Sequence, residues 1–499
     1  MPVTPKYTRR TPEEGILYNA MRQQWPFIRA ASKAANDGKG LPNFIESAVN
    51  AYLECGMLKF GFLYAKCDQC KDCLVVAFSC KQRGLCSSCA GKRMIELGAQ
   101  LVDSVIPKVK MRQWVISLPH DIRYLLAWNH EFRSAVLAAV MRALDRHYLM
   151  QAQQQGGKNP KPAAISVIHR MDQSVRLDVH WHILYADGAW CETEKGLEFL
   201  QGPPLKQEVV QQVFEDVLKR IDRQIAKLPD PIESPAETQR KCDPALSALL
   251  RNAMLGFQSD GKDAGKPQQA EFGKGPLKIR KDGRNCCKAN GYSLHANRTI
   301  APQDREGLEK LCRYLCRPAI PASRLELLEN PIGNKTIRIW LKSEWEGGIK
   351  SVLVSEKDLV IRALAQIPLP FRRQLIYHGC FAGNSKARAK VVLAGDKPKG
   401  RRKKKKADDK AEKTEPEENT KMLWQIAHLR CFGWDVLKCP CGGNRTLIAA
   451  VKKKTEIERF LRFLKLWPNA DERGQVLPIS CSKKLAIPVP TRARATGRL

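Results

Sequence analysis

Acidic residues are in short supply in this 499-residue chain: 51 Asp and Glu face 85 Lys and Arg, a formal net charge of +34. Such an imbalance argues against an enzyme of small metabolites and points to a polyanion, nucleic acid ahead of a membrane surface. Long apolar runs are missing as well. None approaches the ~18–20 residues a spanning helix needs, so no membrane role is expected. The start, Met1-Pro2-Val3-Thr4-Pro5-Lys6, lacks the apolar core of a secretory signal, and a cytoplasmic location follows as an expectation. A complete phosphate loop is also wanting. Gly256 to Lys262 matches most of one, but Asp263 stands where a magnesium-holding Ser or Thr belongs, and no strand precedes it. No ATP site is therefore expected. Tyr185-Ala186-Asp187-Gly188 has the start of a reverse-transcriptase motif, yet Gly188 replaces the second catalytic Asp, which excludes a polymerase of that type. No internal repeat is visible, and length alone suggests about three domains.

Cysteine is abundant, at 18 residues, and seven of these fall between Cys55 and Cys89. In a long chain without a signal, clustered thiolates read as zinc ligands and not as disulfides. Cys67-Asp-Gln-Cys70 and Cys86-Ser-Ser-Cys89 are two C-x2-C pairs, each able to wrap a tight turn around a metal, and together they predict one four-thiolate zinc site. Cys73 and Cys80 then remain as spare thiols. Lys66, Lys71, Lys81, Arg83, Lys92 and Arg93 around the pairs suit a phosphate backbone. Cys439-Pro440-Cys441-Gly442-Gly443 resembles half a zinc ribbon one residue short, with Cys431 and Cys481 the nearby thiols, and leaves a second metal site open.

The catalytic candidates lie further on. Asp178-Val179-His180-Trp181-His182 leads into the apolar run Ile183-Leu184-Tyr185. In a strand, alternate side chains share a face, so His180 and His182 project together as a pair of nitrogen ligands, with Asp178 on the same side. Around them the pattern predicts a helix over 43–56, a strand over 112–119 and a long helix over 123–149. It then predicts hairpin arms over 164–168 and 175–185 with residues 171–174 in the turn, and a helix over 205–228. Further strands are expected at 277–279, 292–295 and 336–341, and a helix at 304–317. In that last helix Leu308, Leu311, Cys312 and Leu315 form an apolar stripe beside Tyr314, while Lys310, Arg313 and Arg317 share the tyrosine's face. Three cations around a phenol hold a phosphodiester and favour the attacking tyrosinate.

Strand, long helix, His-hydrophobic-His strand and downstream tyrosine helix make up the layout of the HUH endonucleases. The chain resembles the rolling-circle transposases of the insertion-sequence common-region (ISCR) group. The likeness lies in Phe78-Ser79-Cys80-Lys81 through Cys86-Ser87-Ser88-Cys89, in Gln113 to Pro119, and in Asp304 to Tyr314, joined by Tyr377-His378-Gly379 and the late Cys-Pro-Cys-Gly-Gly. It spans about residues 40–450. The resemblance implies a bacterial single-tyrosine nuclease and strand transferase. His180 and His182 would hold Mg²⁺ or Mn²⁺, and Tyr314 would become joined to the 5′-phosphate of single-stranded transposon ends. Related transposases carry two tyrosines four residues apart, but here Lys310 holds the earlier position. His169 and Asp172 stand where glutamine and glycine are expected, and Asp178 where asparagine is. Asp178 is the first choice as third metal ligand because it shares the ligand face, with Asp172 and His169 behind it.

The fold expected is α+β: an antiparallel HUH-type sheet with flanking helices, preceded by a small four-cysteine zinc module and followed by a basic linker and a small C-terminal segment. The boundaries are an arm at 1–41, a zinc-binding domain at 42–104 and a catalytic domain at 105–345 with an insertion at about 200–275. An extension at 346–392, a linker at 393–420 containing Arg401 to Lys406, and a segment at 421–499 complete the chain. Expected partners are single-stranded DNA ends, target DNA, and host replication and helicase proteins. The rival reading is a non-catalytic zinc-finger protein that binds nucleic acid, or an inactive transposase copy.

Overall fold

The computed structural model describes residues 11–228, 243–254, 280–281, 283–329, 335–345, 348–393, 435, 437–464 and 466. The strand expected at 277–279, the phosphate-loop look-alike, the linker block Arg401 to Lys406, and Cys431 and Cys481 lie outside those residues. The fold is α+β, with antiparallel sheets and 11 α-helices among the described residues. None of these helices is long and apolar enough to cross a membrane.

The described residues form two compact units that do not follow sequence order: those within 54–79 group with those within 428–499, and those within 12–53 with those within 80–427. In the smaller unit the strand Phe62–Cys67 lies between Cys73–Ala77 and the distant Arg445–Val451, antiparallel to both. Phe62, Tyr64, Val75 and Val451 bury one face of this sheet against Ile457 and Leu461 of the helix Lys454–Phe463. Phe460 meets Phe62 and Tyr64 edge-on, at ring separations of 6.2 and 5.7 Å.

The larger unit is built on an antiparallel sheet of eight strands. Its order runs Leu375–Gly379, Ala163–Met171, Leu177–Ala186, Met111–Ser117, Tyr292–His295, Cys286–Ala289 and Arg280–Lys281, with Thr299–Ile300 also paired to Met111–Ser117. The histidine strand Leu177–Ala186 is therefore central, and both of its faces are covered. Trp114, Trp181 and Tyr185 bury the outer face, where the Trp114 indole donates to Tyr148 Oη at 3.1 Å and Tyr148 stacks on Tyr185 at 4.2 Å. The inner face carries Ile165, Val167 and Leu184. Leu308, Leu311, Cys312 and Leu315 of the tyrosine helix, Arg305–Leu315, pack on it. One expected element is broken: in place of a single helix over 123–149 there are two, His120–Trp128 and His130–Gln154. Asn129 divides them by capping the second, its side chain accepting the Phe132 N–H at 3.0 Å.

A buried ion pair fastens the end of the histidine strand. Arg112 grips Asp187 with Nε and Nη2 at 2.8 and 2.9 Å, and Tyr148 Oη donates to the same carboxylate at 3.1 Å. Asp187, the residue of the polymerase-like motif, thus has a structural task. Removing one partner of a buried pair leaves an uncompensated charge. Asp187→Ala is expected to destabilise the larger unit by about 3–5 kcal/mol, read as a lowered urea midpoint. An unchanged midpoint would show that Arg112 finds another partner.

Candidate active site and metal centres

Antiparallel register sets the histidines. His169 stands directly opposite His180, and Val167 opposite His182, so all three imidazoles share the inner face of the sheet. Their ring centroids are 4.3, 5.1 and 5.4 Å apart, and one nitrogen of each lies within 4.8 Å of the others.

The hydrogen bonds select which nitrogen is free. His169 Nε2 donates to the carbonyl of Leu315 at 2.7 Å, so its Nδ1 keeps the lone pair. His180 Nδ1 donates to the carbonyl of Asp178 at 3.0 Å, which leaves Nε2. The Gln113 amide nitrogen lies 2.8 Å from His182 Nδ1; turning that amide over would bring its oxygen to accept Nδ1–H and leave Nε2 its lone pair. His169 Nδ1 and His182 Nε2 are buried atoms with no hydrogen-bond partner. Burial first, then the neighbouring His180, pushes His169 down to about 3. Burial and the adjacent His169 hold His182 well below the imidazole range. Both are therefore neutral nitrogen donors at physiological pH. Three convergent imidazoles, two of them with a buried ring nitrogen that has no partner, fit a metal ion.

These depressed values have a consequence for stability. The unfolded chain takes up protons on these imidazoles below pH ~6.5, whereas folded His169 does so only near 3. Stability is thus fully present above pH ~6.5 and is lost as pH falls from there towards 3. The metal-free protein is expected to melt at progressively lower temperature from pH 7 to pH 5, and added Mn²⁺ should oppose that loss. A melting temperature independent of pH over this range would contradict the buried neutral assignment.

The carboxylates take other positions. Asp178 Oδ1 sits 3.3 Å from Arg123 Nε and 3.6 Å from His180 Nδ1, on the side of that ring turned away from its free Nε2. Burial would raise its carboxyl. Its contact with His180 and the charges of Arg123 and Arg176 outweigh that, and hold it at about 2. It is an ionised group that orients His180. Asp172 builds the hairpin turn, where its Oδ1 accepts from the Ser174 and Arg176 amides at 2.8 and 2.9 Å. The structure gathers His169, and neither carboxylate, with the His pair.

Tyr314 stands over this group, its ring 5.6 Å from His182 and 6.3 Å from His169. Asp304 caps its helix by accepting the Gly307 N–H at 2.8 Å. Of the three expected cations only Arg317 covers the phenol, at 4.5 Å from the ring centroid. Lys310 pairs with Glu306 and Arg313 with Glu309, each at 2.6 Å. Lys342, from the strand Lys335–Trp345, supplies a second cation at 4.2 Å from the ring. Beside His169 and Leu315 lies a cavity of about 260 Å³ edged by Arg83, Arg93, Arg317 and Arg373. The helix Ser87–Gln100 packs on the tyrosine helix so closely that a Cβ at Gly98 would fall 2.9 Å from Arg313 Cγ.

The four cysteines expected at one zinc divide between two groups. Cys86 and Cys89, at the start of the helix Ser87–Gln100, gather with Cys80, and Cys80 Sγ lies 3.5 Å from Cys89 Sγ. Cys67 and Cys70 gather instead with Cys439 and Cys441. Cys73 is bonded to the Tyr64 hydroxyl at 3.0 Å.

Residues 163–389 match a family model described as "Putative transposase", and residues 22–118 match the transposase zinc-binding domain of the IS91 type. No curated protein matches the chain. No solved structure matches it either. The first matched span holds His169, His180, His182 and Tyr314; the second holds Cys67, Cys70, Cys80, Cys86 and Cys89, and with these clusters it supports structural zinc. Together the two matches support a transposase, a DNA-processing enzyme, with a zinc-binding domain in its N-terminal part, and they make DNA its partner.

Proposed function

We propose that this transposase cuts and rejoins single-stranded DNA through a phosphotyrosine formed on Tyr314, in a rolling-circle transposition of the HUH kind. One observation carries the reading: three imidazoles converge beneath a tyrosine flanked by Arg317 and Lys342. Arg317, Lys342 and the arginines around the cavity beside His169 hold the phosphodiester. Tyr314 Oη gives up its proton to solvent and attacks phosphorus; a P–O bond to tyrosine forms as the bond to the 3′-oxygen breaks, and that oxygen takes a proton from solvent and leaves as a 3′-OH. A second 3′-OH reverses the exchange and releases the tyrosine. One phosphodiester replaces another throughout, so no ATP is consumed, and host replication and helicase proteins unwind the duplex.

His169, His180 and His182 would hold the cation, with Asp178 and Gln113 fixing the rings of His180 and His182. A divalent ion there supplies Lewis-acid polarisation of the phosphoryl oxygens. Three nitrogen donors without a carboxylate favour Mn²⁺ over the harder Mg²⁺.

The test is incubation of the full chain with single-stranded DNA from the element's ends, followed by denaturing electrophoresis. A DNA-protein band that survives denaturation is expected with Mn²⁺, more weakly with Mg²⁺, and not with chelator. DNA binding without any such band would replace this reading with a non-catalytic DNA-binding protein.

A further inference from the structure

We propose that Cys67, Cys70, Cys439 and Cys441 form a separate four-thiolate zinc site whose ligands come from opposite ends of the chain. Cys439 and Cys441 lie beyond the residues that either family model matches. Within the smaller unit, Cys67 ends the central strand Phe62–Cys67, and Arg445–Val451 runs beside it in register, so the turn after one strand and the turn before the other meet. Cys67 Sγ is 3.5 Å from Cys441 Sγ, and Cys70 Sγ 3.6 Å from Cys439 Sγ, across sequence separations of 374 and 369 residues. Those spacings are too long for a disulfide and close to the ~3.8 Å edge of a tetrahedron with Zn–S bonds of about 2.3 Å.

The backbone is arranged as it is around metal-binding thiolates. Cys439 N–H bonds to the Gly443 carbonyl at 2.9 Å, and Gly443 N–H points at Cys441 Sγ at 3.5 Å. Asp68 ties the two turns together: its N–H donates to the Asn444 carbonyl, and its Oδ1 accepts the Asn444 N–H, both at 2.9 Å. Position 443 admits only glycine, since a Cβ would lie 2.8 Å from Cys67 Sγ and 2.7 Å from Asp68 Oδ1. Arg445 adds an ion pair with Asp72 at 3.4 Å. The one-residue-short Cys-x-Cys of the C-terminal segment is thus half of a composite site. Its other half is the Cys-x2-Cys that sequence spacing alone assigns to Cys86 and Cys89.

Cys70 and Cys441 are exposed, so as free thiols both should react rapidly with iodoacetamide. In the zinc-loaded full chain, peptide mapping is expected to find them protected, and to find them labelled many-fold faster once a chelator strips the metal. Cys441→Ser should hold about one zinc fewer per chain, and Cys441→His, which keeps a ligand, should restore it. Labelling of Cys70 and Cys441 in zinc-loaded protein at the rate of a free thiol would overturn the proposal, as would full zinc content in Cys441→Ser. Release by a reductant but not by a chelator would also overturn it, in favour of a disulfide. Labelling is read on the unmodified chain, so the test stands even if the serine variant does not fold.

Discussion

Tyr314→Phe is expected to abolish the covalent DNA adduct and to lower strand cleavage by at least about a thousandfold, the order of loss when a nucleophile is removed, while the protein stays folded. Folding survives because the ring does the packing: it borders the core formed by Leu308, Leu311, Cys312 and Leu315 against the sheet, and the phenylalanine ring occupies the same place. Stability should therefore change by no more than about 1 kcal/mol. Arg317 and Lys342 remain in the variant, so affinity for single-stranded DNA should stay within a few-fold of the parent. Loss of adduct with binding kept separates a missing nucleophile from a damaged fold. The two tyrosines that compete in this half of the chain are poorly placed. Tyr292 is buried beside Asp222, and burial pushes its hydroxyl well above the usual phenol range, out of reach of a neutral-pH nucleophile. Tyr377 sits on the edge strand Leu375–Gly379 with Arg388 over its ring at 5.3 Å. Peptide mapping of the adduct should place the nucleotide on Tyr314; full adduct yield from Tyr314→Phe would redirect attention to Tyr377.

What sequence could and could not reveal follows from the range of the forces involved. Period-two and helical patterns are local, and they placed the histidine strand and the stripe of the tyrosine helix correctly, because each pattern is set by one element burying one face. Cysteine pairing is not local. Cys67-x2-Cys70 and Cys86-x2-Cys89 look like two halves of one site until the strand Arg445–Val451 is seen to bring Cys439 and Cys441 against the first pair. Lys342 could not be expected near Tyr314 either, since a second sheet carries it there. His169 stands last of the three candidates for the third ligand, behind Asp178 and Asp172, because the expected turn misplaces it. A four-residue turn at 171–174 pairs His169 with Arg176. In the structure Asp172 gathers the amides of Ser174 and Arg176, Val175 adopts a left-handed φ of 65°, and a bulge between His169 and Met171 shifts the register until His169 faces His180.

That register gives the sharpest discrimination between candidate metal ligands. His169→Ala is expected to weaken Mn²⁺ binding by at least about a hundredfold, beyond the 10–100-fold that loss of an outer-sphere partner brings, and to suppress cleavage with it. Asp178→Asn should cost no more than that outer-sphere range, because its backbone carbonyl still takes the His180 Nδ1–H at 3.0 Å and what is lost is the charge facing Arg123, His180 and Arg176. Affinity can be read directly from the electron paramagnetic resonance signal of free Mn²⁺, which needs no DNA and no turnover. His169 also bonds to Leu315, the neighbour of Tyr314, so its removal could displace the tyrosine helix and leave metal untouched. His169→Gln separates the two effects. A glutamine amide can donate to the Leu315 carbonyl and offer its oxygen to the ion, so it should recover most Mn²⁺ affinity and part of the cleavage that alanine loses. If His169→Ala binds Mn²⁺ as the parent does and Asp178→Asn does not, the carboxylate is the third ligand and the three-imidazole site is wrong.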